Sequence, residues 1–292
     1  MSDKVIFKRV AIAGVGLIGG SLALAGKKAG IFGTVVGSGR GRANLEAALK
    51  LSIVDEITFD LTEAARGADL FFVSTPVESI AWVIQRAAKF LPDGCVITDG
   101  GSVKGAIVNE LDSELPDRLH FVGGHPVAGT EKTGATAAFA ELFHGRYTVL
   151  TPTPRTNQEA LGKVRAMWEA AGSKVVSMAP EEHDATMSII SHLPHLAVFS
   201  LMEAVCWADP EGKMRRFAAG GLRDTTRIAA SDPKMWRDIF SMNKDALLDS
   251  LTRYQQSLEG FRQSIEASDF DEIEGRIDRI SKERQMMDRD DG

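Results

Sequence analysis

The tightest constraint on this chain lies near its start, where Gly14-Val15-Gly16-Leu17-Ile18-Gly19 follows the apolar run Val10-Ala13 and opens the helical pattern Leu17-Ala29. Gly14 permits a tight turn, Gly16 lets a backbone approach a pyrophosphate, and Gly19 lets helix and strand pack closely. The new helix supplies unpaired N–H groups and the positive end of its dipole. Placement after the first strand of a strand–helix series gives the glycine spacing its meaning. The pattern points to a nicotinamide dinucleotide, with Gly14, Gly16, Leu17, Ile18 and Gly19 as candidate contacts; a flavin or a structural turn is the alternative.

At about 150 residues per domain, 292 residues predict two domains. From Lys8 to about Met178, short β-branched or aromatic runs alternate with helical patterns, as in a parallel sheet. The expected strands are Val10-Ala13, Thr34-Gly37, Leu70-Ser74, Cys95-Thr98, Leu119-Val122, Tyr147-Leu150 and Lys174-Ser177. The helical patterns are Leu17-Ala29, Arg42-Leu51, Leu61-Arg66, Val77-Phe90 and Asn157-Ala171. After Ala179-Pro180 only helical periodicity remains. The expected fold is an α/β Rossmann-type dinucleotide-binding domain over residues 1–178, followed by an all-α helical domain over 179–292. Leu247, Leu251, Tyr254, Leu258, Phe261 and Ile265 recur at four-three spacing, and Phe270, Ile273, Ile277 and Ile280 continue the pattern. Such a stripe packs within a bundle or forms the seam of a homodimer.

A formal charge of −6 argues against a nucleic-acid or anionic-membrane binder, so an anionic ligand needs its own local cations. Charged Asp3, Lys4, Lys8 and Arg9 interrupt the first residues, unlike a secretory signal. The longest apolar runs, such as Leu70-Val73 and Leu196-Phe199, fall short of the ~20 residues that span a bilayer. A cytoplasmic protein is expected. Cys95 and Cys206 sit apart in apolar surroundings and are expected to be buried, inert thiols.

A reader of the ribose 2′-hydroxyl is an acid about 20 residues beyond the glycines, but the segment runs Val36-Gly37-Ser38-Gly39-Arg40-Gly41-Arg42. Ser38, Arg40 and Arg42 could instead receive a 2′-phosphate, which leans the cofactor toward NADP over NAD; solvated loop arginines are the alternative. Ser74 and Thr75, before Pro76, end another strand and are candidates for cofactor contact or for an N-cap.

Of six histidines, His125 lies in the glycine-dense Gly123-Gly124-His125-Pro126 loop, and His192 and His195 bracket Pro194, a helix-kinking residue. The spacing of His183, His192 and His195 matches no common metal-ligand pattern, and no metal is expected.

Taken together, Gly14 to Ser21, Thr98-Asp99-Gly100-Gly101-Ser102-Val103-Lys104, Gly124-His125-Pro126, Ser191 to His195 and Arg223-Asp224-Thr225-Thr226-Arg227 resemble the prephenate and arogenate dehydrogenase family. The resemblance spans nearly the whole chain. It implies a dimerising helical domain and an NAD(P)-dependent oxidative decarboxylation of prephenate to 4-hydroxyphenylpyruvate, a step of tyrosine biosynthesis. It further implies His125 as the catalytic group at the ring hydroxyl, with Ser102 orienting it or sharing that hydroxyl. Arg227 would be the carboxylate clamp, its alternative being an ion pair with Asp224. His195 would be a substrate-side histidine, supported by His183 from behind. Thr130 and Glu131 would lie beside the substrate mouth, and Trp236 would wall it or simply pack. No mutase fusion or regulatory domain is visible, so tyrosine, as an inhibitor, is expected to act at or near the active site. Two rivals stand beside this reading: arogenate as substrate, and a β-hydroxyacid dehydrogenase. The second would need a catalytic lysine in the helical half, where Lys213, Lys234 and Lys244 stand in no telling context. A cofactor sensor without turnover is a third.

Overall fold

The computed structural model describes residues 5–130 and 132–287. The chain runs β1 (Phe7–Ala13), α1 (Leu17–Ala29), β2 (Phe32–Ser38), α2 (Arg42–Lys50), β3 (Glu56–Thr58), α3 (Leu61–Ala65), β4 (Leu70–Val73) and α4 (Ile80–Ala88). It continues through β5 (Val96–Asp99), α5 (Gly105–Glu114), β6 (His120–Pro126), β7 (Tyr147–Thr151), α6 (Gln158–Ala170) and β8 (Lys174–Ser177). The strands form one eight-stranded sheet of order β3-β2-β1-β4-β5-β6-β7-β8, parallel at every pairing but β6–β7.

Continuous apolar strands mark a sheet covered on both faces. In β1, Val10 and Ile12 join one buried cluster with Leu22, Val164 and Trp168, while Ala11 and Ala13 join another with Ile84, Ile107 and Leu111. β4 divides the same way, Leu70 and Phe72 to one side, Phe71 and Val73 to the other. Two-sided burial aligns strand ends, with Ala13 opposite both Ser38 and Val73.

Four features depart from the sequence reading. β3 is an extra, three-residue edge strand. α5 is an extra helix, whose first amides are received by the distant Asp184 carboxylate. β7 runs antiparallel to β6, and among the described residues the segment between them holds a 3-10 turn, Ala135–Ala137, and no crossover helix. Cys206 is exposed, whereas Cys95 is buried as expected.

Beyond the sheet the described chain is helical: α7 (Pro180–Met187), a π-helical turn (Ser188–His192), α8 (Leu193–Ala208), α9 (Gly220–Thr226), α10 (Pro233–Met242), α11 (Lys244–Glu266) and α12 (Phe270–Met287). The π-turn precedes Pro194, whose missing N–H and bulk disturb the ladder there. By packing, the chain divides into two compact units, Met1–Lys244 and Asp245–Gly292. Within the second, Arg276 lies over the Phe261 ring, 4.0 Å from its centroid, and joins α12 to α11. Pro180–Ala208 is the one helical stretch among the described residues long and apolar enough to cross a membrane by length and hydropathy. It also holds Asp184, His183 and His192 buried in hydrogen bonds to the protein.

His192 is buried, and Asn243 at the end of α10 holds it: the Asn243 amide donates to Asp184 O at 2.8 Å and lies 3.1 Å from His192 Nδ1. Burial, against the opposing pull of Asp184, lowers the His192 pKa to about 4. The unfolded chain binds that proton near pH 6.5 and the folded chain only near 4, so His192 costs stability progressively as pH falls through this window. The full cost is about 3 kcal/mol, from the free energy per pKa unit. Urea denaturation of His192→Gln should show a shallower loss of stability between pH 6.5 and 4 than the wild type; equal slopes would contradict this assignment.

Candidate active site

The sheet order reverses between β1 and β4, and the loops leaving their C-terminal ends border the crevice where such sheets receive ligands. Gly14 has φ +95°, and a Cβ there would lie 2.7 Å from Ser74 O. A Cβ on Gly19 would lie 2.3 Å from Gly14 O. Both positions demand glycine. Ser74 Oγ donates to Gly14 O at 2.6 Å, so Ser74 fastens the loop and does not cap a helix. Thr75 Oγ1 accepts from Ser79 Oγ at 2.9 Å.

Gly16 differs, because a Cβ there would meet nothing within 4 Å. It is the N-cap of α1, and no side chain caps that helix, whose first turn holds Leu17 and Ile18. An open backbone at an uncapped helix N-terminus suits a pyrophosphate. Asn44, which sequence reasoning did not single out, braces this loop: Nδ2 donates to Val15 O at 2.7 Å, and Oδ1 accepts from Ala135 N at 2.8 Å. Ser38 is buried at the end of β2, and Arg40 beyond it is exposed. Arg42 is engaged, stacked over Phe59 at 4.6 Å and paired with Glu46 at 3.4 Å.

His125 stands near the end of β6, on a tightly held backbone. Asp99, at the end of β5, accepts from Gly101 N at 2.9 Å and from Gly124 N at 3.0 Å. The Lys104 ammonium is ion-paired with Asp99 and donates to Gly124 O at 3.0 Å. Both polar groups of the residue before His125 are thus fixed by one ion pair. Both side chains are fully buried; burial pulls the Lys104 pKa down, and the Asp99 charge opposes that pull. Both stand in the Thr98–Lys104 motif that carries the resemblance, although the sequence assigns neither a role.

The His125 Nδ1 lies 2.8 Å from His183 Nε2, and His183 Nδ1 lies 2.7 Å from Asp184 Oδ1. His183 therefore partners His125; it was expected to support His195. Ser102, partly exposed in the loop after β5, is not the group at Nδ1. Burial first, then the neighbouring His183, Lys104 and His192, hold the His125 pKa well below its ordinary value. The ring is consequently neutral near pH 7 and able to accept a proton.

On the helical side, His195 stacks on Trp236 with ring centroids 3.8 Å apart and 26° between planes. Its Nδ1 lies 2.9 Å from Ser191 O, and burial lowers its pKa against that bond. Trp236 is buried, 6.1 Å from the His192 ring, which links it through Asn243 and Asp184 toward His183. α10 packs against the turn Val77–Ser79 that follows Thr75. Arg227 is exposed at the start of the 3-10 turn Arg227–Ala230, which packs against α8. Thr130 is exposed, and Glu131 lies outside the described residues.

Residues 22–177 match the family described as the nucleotide-binding domain of prephenate dehydrogenase, and residues 179–278 match its dimerization domain. Prephenate dehydrogenase of Bacillus subtilis is 37% identical over 266 residues, covering 90% of this chain and 72% of that protein. Cyclohexadienyl dehydrogenase of Zymomonas mobilis is 36% identical, covering 91% of each chain. The crystal structure of Aquifex aeolicus prephenate dehydrogenase in complex with hydroxyphenyl propionate and NAD+ superposes with a TM-score of 0.91 at 34% identity, covering 96% of this chain and 98% of that one. Sequence likeness across both matched domains, on a sheet with a dinucleotide loop at its crevice, makes this chain a member of the prephenate dehydrogenase family of nicotinamide-dependent oxidoreductases.

Proposed function

We propose that the chain oxidises prephenate to 4-hydroxyphenylpyruvate with loss of carbon dioxide, and that His125 is its proton acceptor. The observation that carries this is a neutral, partly exposed imidazole at the crevice, held by the buried Asp99–Lys104 pair on one side and His183 on the other. Bound nicotinamide dinucleotide supplies the hydride acceptor. His125 takes the proton of the ring hydroxyl as the carbon beneath it is oxidised, and returns it to the oxygen when decarboxylation makes the ring aromatic. Ser102 shares that hydroxyl. Arg227 clamps one substrate carboxylate, while His195 and Trp236 form a stacked wall and Thr130 belongs to the mouth.

Arogenate, which carries an amine where prephenate has a keto oxygen, is the alternative substrate. Ser38 and Arg40 support acceptance of NADP as well as NAD, because β2 ends without a carboxylate and Arg42 is occupied by Phe59 and Glu46. The functional division is 1–178 for the cofactor and 179–292 for substrate and dimerisation. A homodimer would cover apolar residues exposed on α11 and α12, including Leu258, Ile265, Ile277 and Ile280. Unpaired thiols at Cys95 and Cys206 suit the reducing cytoplasm, and tyrosine, as inhibitor, would compete at the substrate site.

His125→Asn should lower kcat by roughly 10² to 10⁴ while dinucleotide affinity stays constant, the range for a general acid–base group; wild-type turnover would remove His125 from the mechanism. Steady-state kinetics of Arg227→Ala should show a higher KM for prephenate, a loss of roughly 2 to 4 kcal/mol for one charged clamp. An unchanged KM with lowered stability would make Arg227 structural. Arg40→Asp should cut kcat/KM with NADP about 10- to 100-fold relative to NAD, the value of a charge-assisted hydrogen bond. Identical selectivity before and after would show that Arg40 does not read the 2′ position.

A further inference from the structure

We infer that Asp184 and His183 form a relay that fixes the tautomer of His125, leaving Nε2 as the atom that accepts the substrate proton. This rests on the reading of His125 as the base. The two oxygens of Asp184 each receive a backbone amide, Lys104 N on Oδ1 and Gly105 N on Oδ2, both at 2.8 Å. Backbone amides only donate, and an ionised carboxylate only accepts. Oδ1 also faces His183 Nδ1 at 2.7 Å, so that nitrogen carries the proton. With its proton on Nδ1, His183 presents a bare Nε2 to His125 Nδ1 at 2.8 Å, and His125 donates there. Its own Nε2 is left unprotonated, and among the described residues no group bonds it.

In the reaction the hydroxyl O–H bond breaks and an Nε2–H bond forms on His125. The carbon's C–H electron pair leaves as hydride to the nicotinamide, and the oxygen's pair forms a C=O bond. Loss of carbon dioxide returns the C–C pair to the ring, and the oxygen takes its proton back from Nε2. His125 ends neutral. While it is an imidazolium, its Nδ1–H bond to His183 strengthens, and the Asp184 carboxylate at the far end offsets the charge. The Lys104 ammonium acts in the opposite sense, which makes the carboxylate's presence matter.

The test is ¹⁵N NMR of histidine-labelled protein with the dinucleotide bound, paired with kinetics of His183→Asn. The expected wild-type spectrum has His125 protonated at Nδ1 and bare at Nε2. In His183→Asn this preference should relax, and kcat should fall about 10- to 100-fold, the cost of a slightly misplaced group, with prephenate KM and dinucleotide Kd unchanged. A wild-type proton on Nε2, or a His183→Asn enzyme with wild-type kcat and His125 tautomer, overturns the relay. His125→Asn separates the two readings. Wild-type turnover in that variant removes the base and the relay together, whereas an inactive His125→Asn beside an unaffected His183→Asn leaves the base and overturns only the relay.

Discussion

The buried pair Asp99–Lys104 is the interaction on which the site depends. A lone ammonium or carboxylate with no exposure would be prohibitively expensive, and the two persist because each satisfies the other and the loop backbone around it. Asp99 holds the amides of Gly101 and Gly124, and Lys104 holds the Gly124 carbonyl. The ends of β5 and β6 are thereby locked together, and His125 inherits a fixed backbone. The backbone of Lys104 then continues the construction, since its amide and that of Gly105 are received by Asp184. One short segment, Asp99 to Gly105, therefore ties the C-terminal ends of β5 and β6 to the first helix beyond the sheet.

The cofactor side follows a different logic, built from the absence of side chains. Gly14 and Gly19 are required by close backbone approach, whereas Gly16 borders open space. Ser74 draws the end of β4 against the loop, and Asn44 braces it from α2. The result is a fixed backbone surface at an uncapped helix end, ready for an anion.

What was legible in sequence was local. The glycine loop, the apolar strands of the sheet centre and the change to helix after Pro180 each carry their signal within a few residues. β3 escaped because Glu56-Ile57-Thr58 is a short, half-exposed edge with no apolar run. α5 escaped because its cap is supplied by Asp184, 79 residues from Gly105. The resemblance sets His183 behind His195, but it carries no geometry, and in the fold His183 Nε2 faces His125 Nδ1. Lys104 and Asp99 look like surface charges in a glycine loop, and only the closure of β5 on β6 buries them. The roles of Ser102, Arg227 and Thr130 came from family resemblance, which names residues without placing them around a substrate.

Initial rates decide whether this site oxidises prephenate. Purified protein would be offered prephenate or arogenate with NAD or NADP, following reduced nicotinamide by absorbance and carbon dioxide by trapping. The account predicts turnover with prephenate, one carbon dioxide released per nicotinamide reduced, and acceptance of NADP. Folded protein that binds dinucleotide yet turns over neither substrate with either cofactor would contradict it.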